Sequence, residues 1–530
     1  MSSNLSRRQQ RRQQRAGFQP VDRAAIALAV VLTVVIAVLL MVGGRAAARV
    51  RDFSWDNHQI GAEDAAFLLT FSRPMDHASV ENNLKIEPPL PGKMSWAGRL
   101  MAYTLDAPAP YGELYEVSLP TARDRYSSDS RKPANFASFR GQFQSRDRAF
   151  VYLGVSGEEQ GRLVLFNLSR QEKTVLTPPN LVVLDFKPYP LGDRVLFSGI
   201  DAEAYERGDL DQKLYSVTTG IAPNPPPDLS VQGDRSRPDR AEKPQEAGIV
   251  ELVLDSETYQ NFKFDLSRDG DVIVVQRVNA DDPSDFGPWL IYNGQTKPLN
   301  TEPGGDFAIA PDSRTLVMLQ GEGTAIIPLP LAENDLIEND IESAELSEPL
   351  DFLPEFGRVL DISPDGNTAA LINYNQNNPD QRYTETLTLV DNQGEEKALL
   401  TATGKIWSAQ FDTTGRSLYV LSTELLDSET YVEQPVLSAI NLSEDVLKDL
   451  LLFPPQPNIN MSLSPDGLAL LFDRAVSSEG VDPSAANGAT SEIWLVPLYK
   501  TPTERISGLP SSDIEPQSLP FAGVQPIWLP

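Results

Sequence analysis

The phrase Ser-Pro-Asp-Gly returns through the last two thirds of this chain. It stands at Ser363-Pro364-Asp365-Gly366 and again at Ser464-Pro465-Asp466-Gly467. Variants sit at Ser267-Arg268-Asp269-Gly270, Ala310-Pro311-Asp312-Ser313 and Asp412-Thr413-Thr414-Gly415. Proline presets the first central position of a turn, aspartate holds the turn through its own backbone, and glycine accepts positive φ. Compact apolar runs follow at 272–275, 316–319, 369–372, 418–421 and 468–472. Being apolar on both faces, they fit strands covered on either side. A turn between strands, repeated every few tens of residues, is the mark of a repeat architecture.

With turns placed at 147, 193, 269, 312, 365, 415 and 466, most intervals lie between 43 and 53 residues. That length suits four short strands per unit, so the pattern predicts an all-β, seven-bladed β-propeller over 142–530. The first unit opens around Phe143. The one interval of 76 residues contains 222–248, a Pro-rich, charged stretch that reads as a disordered insertion. Residues 523–530 look like the opening of a further repeat and are expected to join the first or last blade and lock the ring. The repeats resemble the TolB-like, WD40-related PD40 propellers of bacterial envelopes. That resemblance implies a fold, and leaves binding, scaffolding and a few enzymatic activities open.

Residues 52–140 have a different texture: short alternating strands separated by Pro, Gly and Asp turns, as in a small β-sandwich. The order Phe71-Ser72-Arg73-Pro74-Met75-Asp76, then Val80, Leu84-Lys85-Ile86-Glu87-Pro88, Trp96 and the 115–119 strand resembles bacterial Ig-like domains. The resemblance implies a spacer or adhesion module without catalysis, in which Met75, Trp96 and Tyr115 are core residues.

Residues 24–42 form a 19-residue stretch without a charge. As a helix it would run about 28 Å, close to the ~30 Å hydrocarbon core. Arg7, Arg8, Arg11, Arg12, Arg15 and Arg23 precede it, and Arg45, Arg49 and Arg51 follow. The positive-inside bias therefore predicts a single-pass signal-anchor in the plasma (inner) membrane, with tail 1–23 cytoplasmic and the body extracytoplasmic, or periplasmic. The competing reading is a signal peptide cleaved near Ala46-Ala47-Ala48, but such apolar cores run only about 7–15 residues.

The net charge of −29 divides into +5 for residues 1–23 and −34 for the rest. A body so acidic is repelled by phosphate backbones, which argues against a nucleic-acid partner. The absence of cysteine excludes disulfides, thiolate metal sites and cysteine nucleophiles. No G-x-S-x-G elbow and no Gly-rich phosphate loop occurs. The only histidines, His58 and His77, fall in the sandwich region and read as solvent-facing. Two acidic clusters, 333–348 and Asp281-Asp282-Pro283-Ser284-Asp285 before Trp289, lack calcium-loop spacing and read as solvated loops or a short surface helix. Asp269, Asp312, Asp365 and Asp466 read as turn formers. The sequence therefore yields no catalytic, cofactor-binding or metal-ligating set.

The leading expectation is a non-enzymatic, membrane-anchored binding or scaffold protein whose propeller recognises a protein or an envelope polymer. The alternative is an extracytoplasmic carbohydrate-active enzyme using carboxylates such as Asp281 or Asp285. A third reading is a sensory subunit with 222–248 as its moving element.

Overall fold

The computed structural model describes residues 20–43, 47–125, 136–209, 211–225, 245–321, 323–331, 349–354, 356–427, 429–477, 489–511 and 514–530. The 333–348 acidic cluster and most of the 222–248 insertion lie outside them. The described chain is all-β, with a few helical segments.

The first helix, α1 (Pro20–Gly43), covers the uncharged stretch. Its side chains are described only over 24–38, where all are exposed. Among the described residues no helix is long and apolar enough to cross a membrane.

Two four-stranded sheets follow and share one core. One orders its strands Val50–Phe53, Ala66–Phe71, Leu100–Leu105, Gly92–Ala97. The other runs Gln59–Ile60, Phe139–Ser145, Leu114–Leu119, Lys85–Glu87. Period-2 alternation sends Phe67, Leu69 and Phe71 of one sheet and Tyr115, Val117 and Leu119 of the other into that core. Met75 is buried, and Asp76 caps the short helix α2 (His77–Glu81) by accepting from Ser79 N at 2.9 Å. Trp96 packs against the core from a half-buried position.

The structure departs from expectation at the head of the ring. The strand around Phe143 belongs to the sandwich: it pairs with Leu114–Leu119, and the Phe143 ring stacks on Tyr115 at 5.0 Å. Its alternating burial, with Gly141, Phe143 and Ser145 inside and the residues between outside, is a one-sided pattern that a strand between two blades would not show.

Beyond it, four-stranded meanders repeat over 181–254, 259–298, 307–353, 359–402 and 406–452, each ordered as it is read along the chain. Their first strands lie side by side: Tyr259–Leu266 on Phe307–Ile309, that on Val359–Ile362, that on Ile406–Phe411, that on Met461–Leu463. The last sheet has seven strands, because Gln517–Trp528 pairs on one side with Ala489–Pro497 and on the other with Ala149–Gly154. Shared cores run all the way round. Phe264 joins Leu196 and Leu214, Phe307 joins Val274, Phe356 joins Leu371, and Phe411 joins Ala370. Phe472 then joins Tyr419, Trp528 joins Phe150 and Leu471, and Leu529 joins Leu181 and Phe186. First strands innermost, sheet packed on sheet and the chain's late strand tied to its early one make a closed β-propeller.

The repeated phrase is the corner between the first and second strands. In its full form the serine hydroxyl donates to the aspartate (Ser363 to Asp365, 2.5 Å; Ser464 to Asp466, 2.6 Å) and accepts from the strand beyond (Thr368 N, 3.0 Å; Ala469 N, 3.0 Å). Gly366 and Gly467 take φ of 73° and 65°, the left-handed region a side chain resists.

Candidate functional site

In an antiparallel meander, first-to-second turns collect at one end of the ring and second-to-third loops at the other. The turn end carries the sandwich. Asp466 Oδ2 accepts from Tyr111 N at 3.0 Å and from Arg148 Nη2 at 3.2 Å. Arg146 Nη1 donates to Pro190 O at 3.1 Å, and Gln59 N donates to Asn224 O at 2.7 Å. A short helix, α3 (Ala202–Arg207), stands at the opposite end, and another, α4 (Pro502–Ser507), at the turn end. From α4 the buried Arg505 donates to Asp466 O at 2.6 Å and to Asp412 Oδ2 at 2.9 Å, stitching two neighbouring turns together. The turn aspartates thus do more than shape corners, because two of them hold other elements in place.

Among the described residues, these hydrogen bonds of the sandwich to the ring fall at the turn end and not at the loop end. The loop end carries Tyr205 on α3, Tyr383 in loop 374–384 and Tyr431 in loop 426–432, the last two 88% and 73% exposed. Phe286, at the start of the Phe286–Tyr292 strand, is exposed at the same end.

The inner strands line the axis with charge. Lys187 pairs with Asp265 of the next sheet, and Lys263 pairs with Asp306 of the one after. Arg358 Nε lies 3.8 Å from Asp306 Oδ2, and its Nη2 donates to Trp407 O. Carboxylates also clasp backbone across sheets. Asp265 Oδ2 accepts from Ile309 N and Asp361 Oδ2 from Phe411 N, both at 2.7 Å, while Gln410 Oε1 accepts from Leu463 N at 2.9 Å. Burial pushes the Asp361 carboxyl up to about 6 against the pull of its two backbone donors. Burial works against the Lys187 ammonium, but Asp265, Asp185 and Asp306 outweigh it and raise its pKa. These groups are spent on joining sheet to sheet. The sequence signal for them is an aspartate two residues before the turn serine, as in Asp265-Leu266-Ser267 and Asp361-Ile362-Ser363.

The residues weighed from sequence fall apart in space. His77 stacks on Trp96 with ring centroids 4.2 Å apart. His58 is half-buried rather than solvent-facing, with Nδ1 covered and without a hydrogen-bond partner. The 279–285 loop is held by its own acids and amides. Asn279 Oδ1 accepts from Asp281 N at 3.0 Å, and Asp282 Oδ1 accepts from the Ser284 hydroxyl at 2.6 Å. Asp285 Oδ2 accepts from Asn279 Nδ2 at 2.9 Å and from Tyr259 OH at 2.7 Å, which hold its pKa below the ordinary carboxylate value.

Tyr259 leads to a cluster that sequence reasoning saw only through Trp289. The Arg277 guanidinium lies 5.1 Å from the Tyr259 ring centroid and 4.9 Å from that of Trp289, and the two rings are 4.8 Å apart at 59°. Three strands of the 259–298 sheet supply these side chains, and their register puts Tyr259, Arg277, Asn279, Gly287 and Trp289 on one face near the loop end.

No family model matches the chain, and no curated protein is similar to it in sequence. Solved structures give distant likenesses. TolB from Acinetobacter baumannii is 9% identical over 84% of this chain and 83% of its own, with a TM-score of 0.37. Oligogalacturonate lyase from Vibrio parahaemolyticus is 10% identical over 67% and 91%, with a TM-score of 0.42. The hydrazine synthase of Kuenenia stuttgartiensis is 12% identical over 61% and 80%, with a TM-score of 0.33. Likeness at this level brings no activity with it, so function is argued from this chain's own surfaces.

Proposed function

We propose that this chain is a membrane-anchored, extracytoplasmic binding or scaffold protein whose loop end docks a protein partner. Reading the seven-stranded sheet as two blades that share Gln517–Trp528 gives seven blades, in keeping with the turn spacing. The sandwich serves as an Ig-like spacer between ring and membrane. Support for the anchor comes from α1, whose described side chains, among them Leu28, Val31 and Ile36, find no cover from the rest of the chain. Residues 24–38 carry no charge on any side, a surface suited to an apolar surrounding.

One observation carries the docking face. The sandwich occupies the turn end, while the opposite end presents tyrosines at the tips of neighbouring sheets. Tyrosine joins a rigid apolar body to a polar tip and is enriched where binding energy concentrates. A photoreactive amino acid placed at 383 or 431 in cells should capture a discrete protein adduct, and one placed at 391 on the turn end should not. Adducts at 391 alone would overturn the assignment of the face.

An enzymatic reading built on Asp281 and Asp285 has less to stand on. Asp285 is kept ionised by its hydrogen bonds, which suits it to accepting hydroxyls and unsuits it to donating a proton.

A further inference from the structure

We infer that the loop-end face around Trp289 is a binding subsite for a neutral saccharide, separate from the docking tips at Tyr383 and Tyr431. Saccharide sites combine aromatic faces, which take the C–H side of a sugar ring, with planar polar groups that take its hydroxyls. Both kinds are here, and both are preorganised. Arg277 is buried to 5% exposure and packs against both Tyr259 and Trp289, whose rings also touch each other. Its Nη2 donates to Asp255 O at 3.2 Å, while its Nε is buried without a partner.

The space in front is open. Gly287 sits opposite Arg277 in the register, and a Cβ built there meets nothing within 4 Å. Asp285 takes both of its side-chain hydrogen bonds on Oδ2, leaving Oδ1 to accept from a ligand.

Charge narrows the ligand class. The Arg277 guanidinium lies 5.1 and 4.9 Å from the two ring centroids, so an ammonium ligand stacking on either ring would meet a like charge nearby. An anionic ligand would meet the exposed Asp285 on a ring that carries 61 acids against 27 bases over residues 141–530. A neutral polyhydroxyl meets neither penalty, and its hydroxyls suit an ionised carboxylate.

The test uses the full chain in a detergent without a sugar headgroup, titrated calorimetrically with cellotetraose and with chitotetraose. Saturable binding to at least one probe is expected, in the range of about 0.1–1 mM for a shallow single subsite. Trp289→Ala should weaken it at least about tenfold, roughly the 1.4 kcal/mol that one stacked ring supplies. Asp285→Ala, in an exposed loop, should weaken it with the melting temperature unchanged, which keeps the test valid if Trp289→Ala fails to fold. Tyr383→Ala should bind as the parent does. No binding of either probe up to about 10 mM would overturn the subsite. So would binding that survives Asp285→Ala and Trp289→Ala, or that is lost instead in Tyr383→Ala. Protein capture at 383 and 431 is a separate readout, so the two proposals can fail independently.

Discussion

At the scale of single residues, the same aspartate in the same turn does different work at different blades. Asp365 is exposed and serves its own corner, accepting from Ser363 and from Asn367 N. Asp466 is buried to 1% and adds Tyr111 and Arg148 to its corner bonds. Removing a buried, fully bonded carboxylate strands its partners and costs about 3 kcal/mol, whereas an exposed turn aspartate is worth roughly 1 kcal/mol. Asp466→Ala should therefore shift urea unfolding well beyond Asp365→Ala, and equal shifts would show that the joint with the sandwich contributes nothing. The phrase in the sequence is legible as a turn because turn chemistry is local. Which copy bears the sandwich is illegible, because that depends on Tyr111, 355 positions away. The Arg277 cluster hid for a related reason. Tyr259, Arg277 and Trp289 lie on three strands, and only register brings them together.

At the scale of elements, the closing strand Gln517–Trp528 was half legible. Its apolar end was readable as a strand that joins a blade. That it pairs with both flanking sheets follows from its length, and from a register shift between Val524 and Ile527 around Gln525, which takes φ of 53°. Phe521 and Trp528 are buried in the core between the first and last sheets, and Leu529 reaches the next core. Deleting 521–530 removes all three large side chains, each worth about 2–4 kcal/mol, and bares the edge of Ala149–Gly154. The truncated protein should melt at least about 10 °C lower and aggregate on heating. An unchanged melting curve would mean that the ring closes by other contacts. The strand at Phe143 misled in the opposite direction. Its spacing from the next turn fits the repeat, yet its alternating pattern is the better guide, since a one-sided strand belongs to a sandwich.

At the scale of the molecule, charge is graded along the chain. The tail and the flank of α1 are basic, residues 52–140 carry 12 acids against 9 bases, and the ring holds a net −34. Anionic lipid would attract the first, tolerate the second and repel the third, so in the proposed arrangement the ring would be held off the lipid. If α1 is an anchor, alkaline carbonate should leave the full chain in the membrane pellet, and removal of residues 1–46 should release the body to the supernatant. Release of the full chain would overturn the anchor.

The double pairing of Gln517–Trp528 has a consequence in time. It is made after every other described strand, and the cores on either side of it are incomplete until it arrives. Until Gln517–Trp528 is made, a growing chain is therefore an open arc with a bare strand edge at Ala149–Gly154, vulnerable to wrong partners. Completion of the ring is in effect a report that translation has passed Trp528, so a product terminated before that strand would be exposed to proteases where the closed ring is not.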